Sequence, residues 1–274
     1  MKKEYLKSIA LQLNSRGVYC LDTVVGCASG MANEKGGCYG DCYAAKSSKL
    51  YGFDFSKIVL RDFDSHNHLN ETIRAINGIK SDFVRIGCSG DPSEDWNHTM
   101  KILFQIEWCN KEIVIITRHW NLLSDVHLEY MARLNICVNT SISALDKPEI
   151  RERCLAQYNR LKPFCKSVLR IVSANFNLEN ERGHELAKIQ NDLFKNDGVI
   201  DTVLRVGKNN PFVKSGVITV ERVSFMGSKT LASKFNKKTY MGKCSGCKEQ
   251  CGVGVNAMNS NKRRGVIKQL TLIK

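Results

Sequence analysis

Three cysteines near the start of this sequence have the residue type and spacing for metal chemistry. Cys27, Cys38 and Cys42 lie in a segment rich in glycine. Glycine lets the backbone turn tightly and point N–H groups at a bound anion. Three thiolates can hold three irons of a four-iron cluster and leave the fourth iron open, whereas a fourth ligand closes an iron–sulfur or zinc site. The alternative is therefore a structural zinc site completed by Cys20 or His66.

A short turn farther along the sequence supplies a second element. The predicted strand 82–86 is followed by residues 87–92, Gly-Cys-Ser-Gly-Asp-Pro. Backbone groups of such a turn, with the Asp91 carboxylate, can hold the amino group of a ligand. By itself, this composition is that of an ordinary β-turn. It indicates a ligand-binding turn only in combination with the upstream cysteines. Cys88, inside the turn, is a candidate catalytic residue as a hydrogen-atom donor.

A second group of cysteines lies near the end of the sequence, at Cys244, Cys247 and Cys251. Close spacing and neighbouring glycines favour a metal over free thiols. Three interpretations are open: an auxiliary iron–sulfur cluster, zinc with a fourth ligand from elsewhere, or cysteines that serve the first site. Four other cysteines fall on helical or strand patterns and are predicted to be small core residues: Cys109, Cys137, Cys154 and Cys165.

Composition limits the class of protein. The 274 residues carry a net charge of +14, which attracts polyanions or simply gives a solvated basic surface. The one dense basic run is 262–264. We find no signal-peptide core and no run near the ~20 apolar residues of a membrane span. We therefore expect no membrane and a cytoplasmic location, where thiols stay reduced. Of the twelve cysteines, the clustered ones are then expected to be metal ligands or catalytic groups rather than disulfides.

The elements that must position these residues alternate along the chain. Six strands are predicted at 18–25, 82–86, 112–117, 135–139, 168–172 and 202–206. Helical patterns separate them at 69–79, 98–109, 124–134, 148–161 and 181–194. From the second strand on, the repeat of roughly 23 to 34 residues is that of a βαβ unit. Such alternation indicates a parallel sheet with right-handed crossovers.

The predicted fold class is α/β, as a partial (β/α)6 barrel over residues 1–207 with a small cysteine-containing C-terminal extension over 208–274. A doubly wound sheet is the alternative. The extension is expected to pack on the barrel and to contain one strand at 217–225. Polar residues follow the predicted strands, at the rim where parallel barrels form their active sites: Ser89 and Asp91, Arg118 and His119, Ser141 and Ser143, Asn175 and Asn177.

Residues 37–44, Gly-Cys-Tyr-Gly-Asp-Cys-Tyr-Ala, together with the turn at 87–92, resemble the radical S-adenosylmethionine superfamily. The similarity is greatest to a divergent branch associated with phages and mobile elements. The order of predicted strands and helices is similar over residues 17–206. Similarity in the motif residues themselves is limited to 26–45 and 87–92. The resemblance implies that Cys27, Cys38 and Cys42 hold a four-iron four-sulfur cluster whose open iron binds the methionine moiety of S-adenosylmethionine.

The same resemblance implies the reaction. An electron from a flavodoxin- or ferredoxin-type donor cleaves the C–S bond, and the resulting 5′-deoxyadenosyl radical abstracts hydrogen from a substrate. The turn at Gly90, Asp91 and Pro92 would bind the methionine amino group. Residues after later strands would complete the cofactor site: Ser141 and Ser143 on ribose or carboxylate, Arg170 on the methionine carboxylate, and Asn175 on the adenosine.

One departure from the family pattern concerns spacing. The usual motif is Cys-x3-Cys-x2-Cys, whereas this chain has Cys-x10-Cys-x3-Cys. The insertion 28–37 must loop out without moving Cys27, and Cys20 is left as a substitute ligand. The expected function is a radical S-adenosylmethionine enzyme acting on a nucleic acid, a nucleotide or a peptide. The alternative is a zinc-binding nucleic-acid protein without catalysis, whose positive charge is its working surface.

Overall fold

The computed structural model describes residues 4–225 and 227–253 of the chain. They form a mixed α/β fold built on one large, mostly parallel sheet with helices packed against it. The helices are α1 (Ala28–Asn33), α2 (Tyr43–Leu50), α3 (His66–Gly78), α4 (Trp96–Gln105), α5 (Asp125–Met131), α6 (Pro148–Leu161), α7 (Glu181–Phe194) and α8 (Pro211–Lys214). The strands are β1 (Glu4–Ser8), β2 (Gln12–Leu13), β3 (Tyr19–Cys20), β4 (Val24–Val25), β5 (Val59–Asp62), β6 (Phe83–Ile86), β7 (Glu112–Thr117), β8 (Ile136–Ile142), β9 (Lys166–Ser173), β10 (Asn175–Phe176), β11 (Val199–Val206), β12 (Ile218–Thr219), β13 (Glu221–Phe225) and β14 (Ser228–Ser233).

The large sheet has nine strands in the order β13-β14-β11-β9-β8-β7-β6-β3-β2. Its central strands, from β3 to β11, are parallel, and antiparallel pairs flank them at both edges. Two small sheets, β1-β5-β4 and β10-β12, accompany it. A doubly wound sheet reverses its strand order at a switch point. The parallel strands described here instead follow chain order, so the doubly wound alternative is wrong for this sheet.

The two faces of the sheet differ in what covers them. Right-handed crossovers that always step in the same direction place their helices on the same face, and this helix face carries the largest apolar core. Its members include Ile76, Ile86, Leu103, Ile115, Met131 and Val138. The opposite face, which we call the cysteine face, carries a smaller cluster: Val18, Cys20, Phe83, Val114, Cys137, Val168, Ile200 and Cys244.

Local sequence signals explain the best-predicted helices. α6 begins at Pro148, whose missing N–H costs nothing in the first helical turn. α7 begins after Asn180, whose side chain accepts a hydrogen bond from Gly183 N at 3.0 Å. Both helices have the predicted bounds, 148–161 and 181–194. The other three predicted helices form with ends displaced by a few residues.

Two predicted strands are each divided in the structure. Residues 18–25 contain β3 in the large sheet and β4 in a small sheet, with a turn between them. Residues 217–225 contain β12 and β13, which likewise belong to different sheets. The sequence analysis missed β1, β2, β5, β10 and β14 altogether. β14 begins with exposed polar residues and β5 ends in Arg61 and Asp62, so neither has the long apolar run by which the others were recognised.

The C-terminal extension is partly continuous with the large sheet. β13 and β14 extend it beyond β11 in antiparallel pairing. Residues 244–253 then pack on the cysteine face, where a Cβ placed on Gly252 would lie 2.8 Å from Val168 Cγ2 and 3.2 Å from Cys137 Sγ. The last part of the predicted extension, including the basic run 262–264, lies outside the described residues.

Across the described ranges, each helix falls short of the length and apolarity that crossing a bilayer demands.

Candidate functional site

The two motifs singled out in the sequence meet in the structure. Gly26 N donates to Ser89 O at 3.1 Å, and Asp91 N donates to Gly26 O at 3.4 Å. Gly26 and Gly90 thereby form a parallel β-bridge. A Cβ on Gly90 would lie only 2.4 Å from Val24 O, so this close approach of two backbones requires glycine. Gly26, the residue before Cys27, thus joins the first cysteine segment to the turn that follows β6.

The three sulfur atoms of the first group surround two glycines. A Cβ on Gly30 would lie 2.7 Å from the Cys27 sulfur and 3.6 Å from the Cys38 sulfur. A Cβ on Gly37 would lie 2.6 Å from Cys42 Cβ and 3.6 Å from its sulfur. A side chain at either position would therefore clash with a cysteine, so the close packing of the loop requires glycine at both.

Contacts with the segment after β11 hold the cysteine loop in place. Tyr39 adopts a left-handed backbone, with φ of 60°, between Cys38 and Gly40. Its carbonyl accepts a hydrogen bond from Asn210 Nδ2 at 2.8 Å. The Asp41 carboxylate accepts a hydrogen bond from Gly207 N and pairs with Lys46. A left-handed non-glycine residue is strained and persists only when its surroundings fix it, which these contacts do.

Burial raises the pKa of two of these thiols, Cys27 and Cys38, so both stay protonated without a metal. Burial raises the pKa of Cys27 far above its ordinary value, and the nearby Asp91, Cys38 and Glu94 raise it further. Burial likewise raises the pKa of Cys38 to about 11, although Arg118 acts in the opposite direction. A cation that binds these sulfurs must therefore displace their protons.

The arrangement of Cys27, Cys38 and Cys42 can be compared with what a single metal ion or an iron–sulfur cluster requires. Within the described ranges, no three His, Cys, Asp or Glu side chains are arranged to hold a single metal ion. An iron–sulfur cluster makes a different demand, because each cysteine binds its own iron and the sulfurs border a common volume. Gly30 lies beside the sulfurs of Cys27 and Cys38, and Gly37 lies beside that of Cys42, so the three thiols belong to one glycine-rich loop region. The indole of Trp120 packs beside Gly30, with Cζ2 3.6 Å from the Gly30 Cβ position.

The Asp91 carboxylate is fully engaged within the protein. Oδ1 accepts hydrogen bonds from Ser93 N at 3.0 Å, Ser93 Oγ at 2.7 Å and Thr117 Oγ1 at 2.7 Å. Oδ2 accepts one from Arg118 N at 2.8 Å. We predicted that this carboxylate helps to hold a ligand amino group. In the structure its hydrogen bonds connect the turn to Thr117 of β7 and to Arg118. Pro92 is buried and begins the 3-10 turn Pro92–Asp95.

A second carboxylate shapes the same turn and was missed. Asp22 is buried and accepts hydrogen bonds from Gly87 N at 3.0 Å, Cys88 N at 2.7 Å and Ser89 N at 2.9 Å. Three backbone donors fix the start of the turn around one side chain. Asp22 lies inside the predicted strand 18–25. As the one acidic residue of that segment, it was the only sequence signal that the strand is interrupted.

A buried ion pair links the cysteine loop to the ends of β7 and β8. The Arg118 guanidinium pairs with Asp146 and donates to the Tyr39 hydroxyl. Its Cζ lies 5.0 Å from the Tyr39 ring centroid and 5.4 Å from that of Trp120. Burial by itself lowers the pKa of Arg118, but the nearby Asp146 and Tyr39 raise this pKa well above its ordinary value. The sequence analysis named Arg118 as a polar residue after a predicted strand, but it did not single out Asp146.

The other predicted cofactor residues lie on β8, on β9, on β10 and in the turn after β8. Ser143 Oγ donates to Val172 O at 2.7 Å and accepts from Leu145 N at 3.3 Å, so it serves a turn. Ser141 lies beside Arg170 in strand register. Asn175 belongs to β10, and its backbone bonds with Thr219 and Ser233. Ser143 N also donates to Asp146 Oδ2 at 2.8 Å, the carboxylate that pairs with Arg118. Ser143 and Asn175 thus make hydrogen bonds within the protein, and their predicted roles toward a cofactor stay predictions.

Cys20 and Cys88 form a disulfide, which the sequence analysis did not predict. β3 and β6 are parallel neighbours with Cys20 opposite Arg85, so Cys20 faces the turn that follows β6. The expectation that the thiols stay reduced is wrong for this pair. In the disulfide Cys88 has no S–H to donate, and Cys20 is not a substitute ligand of the first site.

The second cysteine group lies on the cysteine face. Cys244 N donates to Arg16 O at 2.8 Å, and Cys251 O accepts from Asn139 Nδ2 at 2.8 Å. Gln250, Cys251 and Gly252 all have left-handed backbones, with φ of 43°, 56° and 92°. This tight turn presses Cys251 against the sheet, where its sulfur accepts a hydrogen bond from Arg85 Nη1 at 3.9 Å.

Neither the comparison with known protein families nor that with curated proteins found a match for this chain.

Proposed function

We propose that this chain is a radical S-adenosylmethionine enzyme. The observation that carries the proposal is the backbone bridge between Gly26 and Gly90, which joins the first cysteine to the turn after β6. In the superfamily that the sequence resembles, these two motifs hold the cluster and the methionine amino group. About sixty residues separate them along this chain, yet they are adjacent in space.

Residues of the site have separable roles in this proposal. Cys27, Cys38 and Cys42 hold the four-iron four-sulfur cluster. When bound, that cluster supplies the electron, received from a flavodoxin- or ferredoxin-type donor, that cleaves S-adenosylmethionine into methionine and a radical able to abstract hydrogen. Backbone oxygens of the turn at Gly90 hold the methionine amino group, since the Asp91 carboxylate is already occupied.

The remaining residues position these groups. Asp91 fixes the turn against β7 through its bonds to Thr117 and Arg118. The Arg118–Asp146 pair fixes Tyr39, and with it the loop that carries two of the three cysteines. Burial of these side chains excludes water from one side of the site, which protects a reactive radical from side reactions.

The proposal includes the finer architecture. We infer that the large sheet curls into a partial (β/α)6 barrel with the cysteine face inside. Support comes from the uninterrupted chain order of the parallel strands and from the core that the helices build on one face. In such a barrel, the ends of β6, β7 and β8 form the active-site rim.

The second cysteine group belongs to the same proposal. Cys244, Cys247 and Cys251 hold a second iron–sulfur cluster on the cysteine face. Its support is the neighbourhood of positive charge, because Arg85 and Arg16 lie beside these sulfurs. Guanidinium groups offset the negative charge of thiolate-bound clusters by charge-assisted hydrogen bonds. Zinc at these cysteines is the alternative that metal analysis distinguishes.

Metal analysis of anaerobically purified protein tests the proposal. The protein is reconstituted with iron and sulfide, and iron, sulfide and zinc are measured for the wild type, for Cys38→Ala and for Cys109→Ala. Cys109 is a half-buried cysteine outside both groups and serves as the control. We expect Cys38→Ala to lose about half of the iron and Cys109→Ala to keep it. A colourless protein that holds only zinc in all three forms would support the non-enzymatic zinc protein instead.

A further inference from the structure

The Cys20–Cys88 disulfide joins β3 to the turn at 87–92. The buried thiols of Cys137 and Cys154 stay free in the same structure, so the disulfide reflects where this pair lies rather than a general tendency of the cysteines. The roles that the sequence analysis considered for the pair, a substitute metal ligand and a hydrogen-atom donor, both require a reduced sulfur. The pair therefore has a chemistry that neither role describes.

Noncovalent contacts already hold the two segments that the disulfide joins. β3 and β6 are parallel neighbours, and Leu21 N donates to Arg85 O at 2.9 Å. The Asp22 carboxylate accepts hydrogen bonds from the backbone N–H groups of residues 87–89, which include that of Cys88. Reduction of the disulfide therefore removes one of several links, and the turn keeps its place when the two sulfurs separate.

Each sulfur of the pair accepts a hydrogen bond from a side-chain nitrogen. Asn14 Nδ2 donates to Cys20 Sγ at 3.3 Å, and Arg85 Nε donates to Cys88 Sγ at 3.0 Å. A neutral sulfur is a weak acceptor, whereas a thiolate accepts strongly, most of all from a charged donor. These nitrogens therefore favour the reduced pair over the oxidised pair, as in disulfides that are readily reduced.

The two sulfurs differ in how an external reagent reaches them. Cys20 is 4% exposed, whereas Cys88 is half-buried and precedes the exposed Ser89 in the turn. Thiol–disulfide exchange requires a thiolate to reach one sulfur of the disulfide directly. Cys88 is therefore the sulfur that an external thiolate attacks, and Cys20 is the sulfur that leaves.

The turn that carries Cys88 is also the turn of the proposed cofactor site. The Gly26–Gly90 bridge joins it to the first cysteine segment, and the Tyr43 hydroxyl donates to Cys88 O at 2.7 Å. A chemical change at the Cys88 sulfur therefore takes place two residues before Gly90. The reduced state places an S–H group in this turn, which the hydrogen-atom donor predicted from the sequence requires.

We propose that Cys20 and Cys88 are a redox-active pair that exchanges with dithiols while the protein stays folded. One thiolate of the dithiol attacks Cys88 Sγ, the bond between the two cysteines breaks, and Cys20 leaves with the electron pair and takes up a proton. The second thiolate of the dithiol then attacks its own sulfur in the mixed disulfide, and Cys88 leaves as a thiol. The dithiol loses the two electrons and two protons that the pair gains.

Reduction of the folded chain without denaturant tests the proposal, and it needs neither a metal nor S-adenosylmethionine. The metal-free full chain is mixed with dithiothreitol at a series of concentrations. Acid stops the exchange at timed points, free thiols are alkylated in denaturant, and mass spectrometry quantifies the modified fraction of Cys20 and Cys88. Tryptophan fluorescence confirms that the chain remains folded throughout.

We expect both cysteines to become modified at a rate proportional to the dithiothreitol concentration, because the reductant attacks the folded chain directly. A disulfide that opens only after unfolding would instead be reduced at a rate independent of the dithiothreitol concentration. That result, or a pair that stays oxidised until denaturant is added, would overturn the proposal.

Single-cysteine variants test which sulfur is attacked. Cys20→Ser leaves Cys88 as a thiol, and Cys88→Ser leaves Cys20 as a thiol. Iodoacetamide should modify Cys88 in the first folded variant roughly tenfold or more faster than Cys20 in the second, because reactivity follows access to the sulfur. Equal rates would refute Cys88 as the sulfur that the external thiolate attacks.

Substitution of Asn14 tests the hydrogen bonds to sulfur. Asn14 Oδ1 accepts from Arg16 N at 2.9 Å and from Val18 N at 3.1 Å, so Asn14→Asp keeps these acceptors and loses the donor to Cys20. Because a carboxylate beside the sulfur disfavours a thiolate, half-reduction should require a roughly tenfold higher ratio of reduced to oxidised dithiothreitol. Asn110→Asp, at an exposed position before β7, is the control. An unchanged ratio in Asn14→Asp would refute the stabilisation of the reduced pair.

The outcome is separable from that of the proposed function. A chain whose pair exchanges with dithiothreitol but that forms no 5′-deoxyadenosine would refute the radical reaction and keep the redox-active pair. A chain that forms 5′-deoxyadenosine while its folded pair resists reduction would refute the redox-active pair and keep the radical reaction.

Discussion

Replacing Gly30 by alanine tests the packing around the first cysteine group. The new Cβ would lie 2.7 Å from the Cys27 sulfur. An ordinary carbon contact needs about 3.5–4.0 Å, so the sulfur must move by roughly 1 Å. Cys27 is buried and follows the Gly26 bridge, which limits how far it can retreat. The substitution therefore displaces the ligand that links the two motifs.

The expected cost follows from two opposing effects. Overpacking a buried site costs about 1–3 kcal/mol, while alanine in a helix gains up to ~1 kcal/mol over glycine. We expect Gly30→Ala to lower the free energy of unfolding by about 1–2 kcal/mol. Gly78→Ala is the matched control, because Gly78 is also helical and a Cβ there meets nothing within 4 Å. It should be neutral or slightly stabilising.

Two assays measure the outcome on the same preparations. Urea unfolding of the metal-free chain gives the change in stability, and iron content after anaerobic reconstitution gives the effect on ligation. Gly30→Ala should lose both stability and most of the iron at the first site, whereas Gly78→Ala should retain both. If Gly30→Ala is as stable as Gly78→Ala and binds as much iron as the wild type, the sulfur positions described here are wrong.

Three further predictions concern the surroundings of the site. Asp146→Asn leaves the buried Arg118 charge unpaired, so urea unfolding should show a loss of about 3–5 kcal/mol. Burial lowers the pKa of His119 to about 3, so only the unfolded chain gains this proton as pH falls below ~6.5. The contribution of His119 to the free energy of unfolding is therefore lost between about pH 6.5 and 3, at up to ~1.4 kcal/mol per pH unit. Urea unfolding at pH 7 and pH 5 should show a larger loss of stability for the wild type than for His119→Gln. Peptide mapping without reductant should recover the Cys20–Cys88 link, and a thiol reductant should lower the free energy of unfolding by about 2–4 kcal/mol.

Much of the fold was readable because it depends on local pattern. Continuous apolar runs such as 112–117 mark strands covered on both faces. Pro148 marks a helix start that the structure confirms, and the amphipathic pattern 181–194 gives the bounds of α7. β5 and β14 were missed because polar residues interrupt their short apolar segments. Their pairing is decided by distant strands rather than by their own composition.

The site was readable only in part, for a related reason. The cysteines and the turn at 87–92 were visible because their spacing is local. Asp22 and Asp146 were missed because each acts on groups far along the chain, and a single acidic residue has no distinguishing pattern. The Cys20–Cys88 disulfide depends on the pairing of β3 with β6, which spacing along the sequence does not reveal.

The most direct measurement of the central claim is the formation of 5′-deoxyadenosine. Anaerobically reconstituted protein is mixed with S-adenosylmethionine and a strong reductant, and the product is quantified by mass spectrometry for the wild type, Cys42→Ala and Cys109→Ala. We predict product from the wild type and from Cys109→Ala, and none above the reductant-only background from Cys42→Ala. Absence of product from an iron-loaded wild type, or equal product from Cys42→Ala, would contradict the assignment of the first cysteine group.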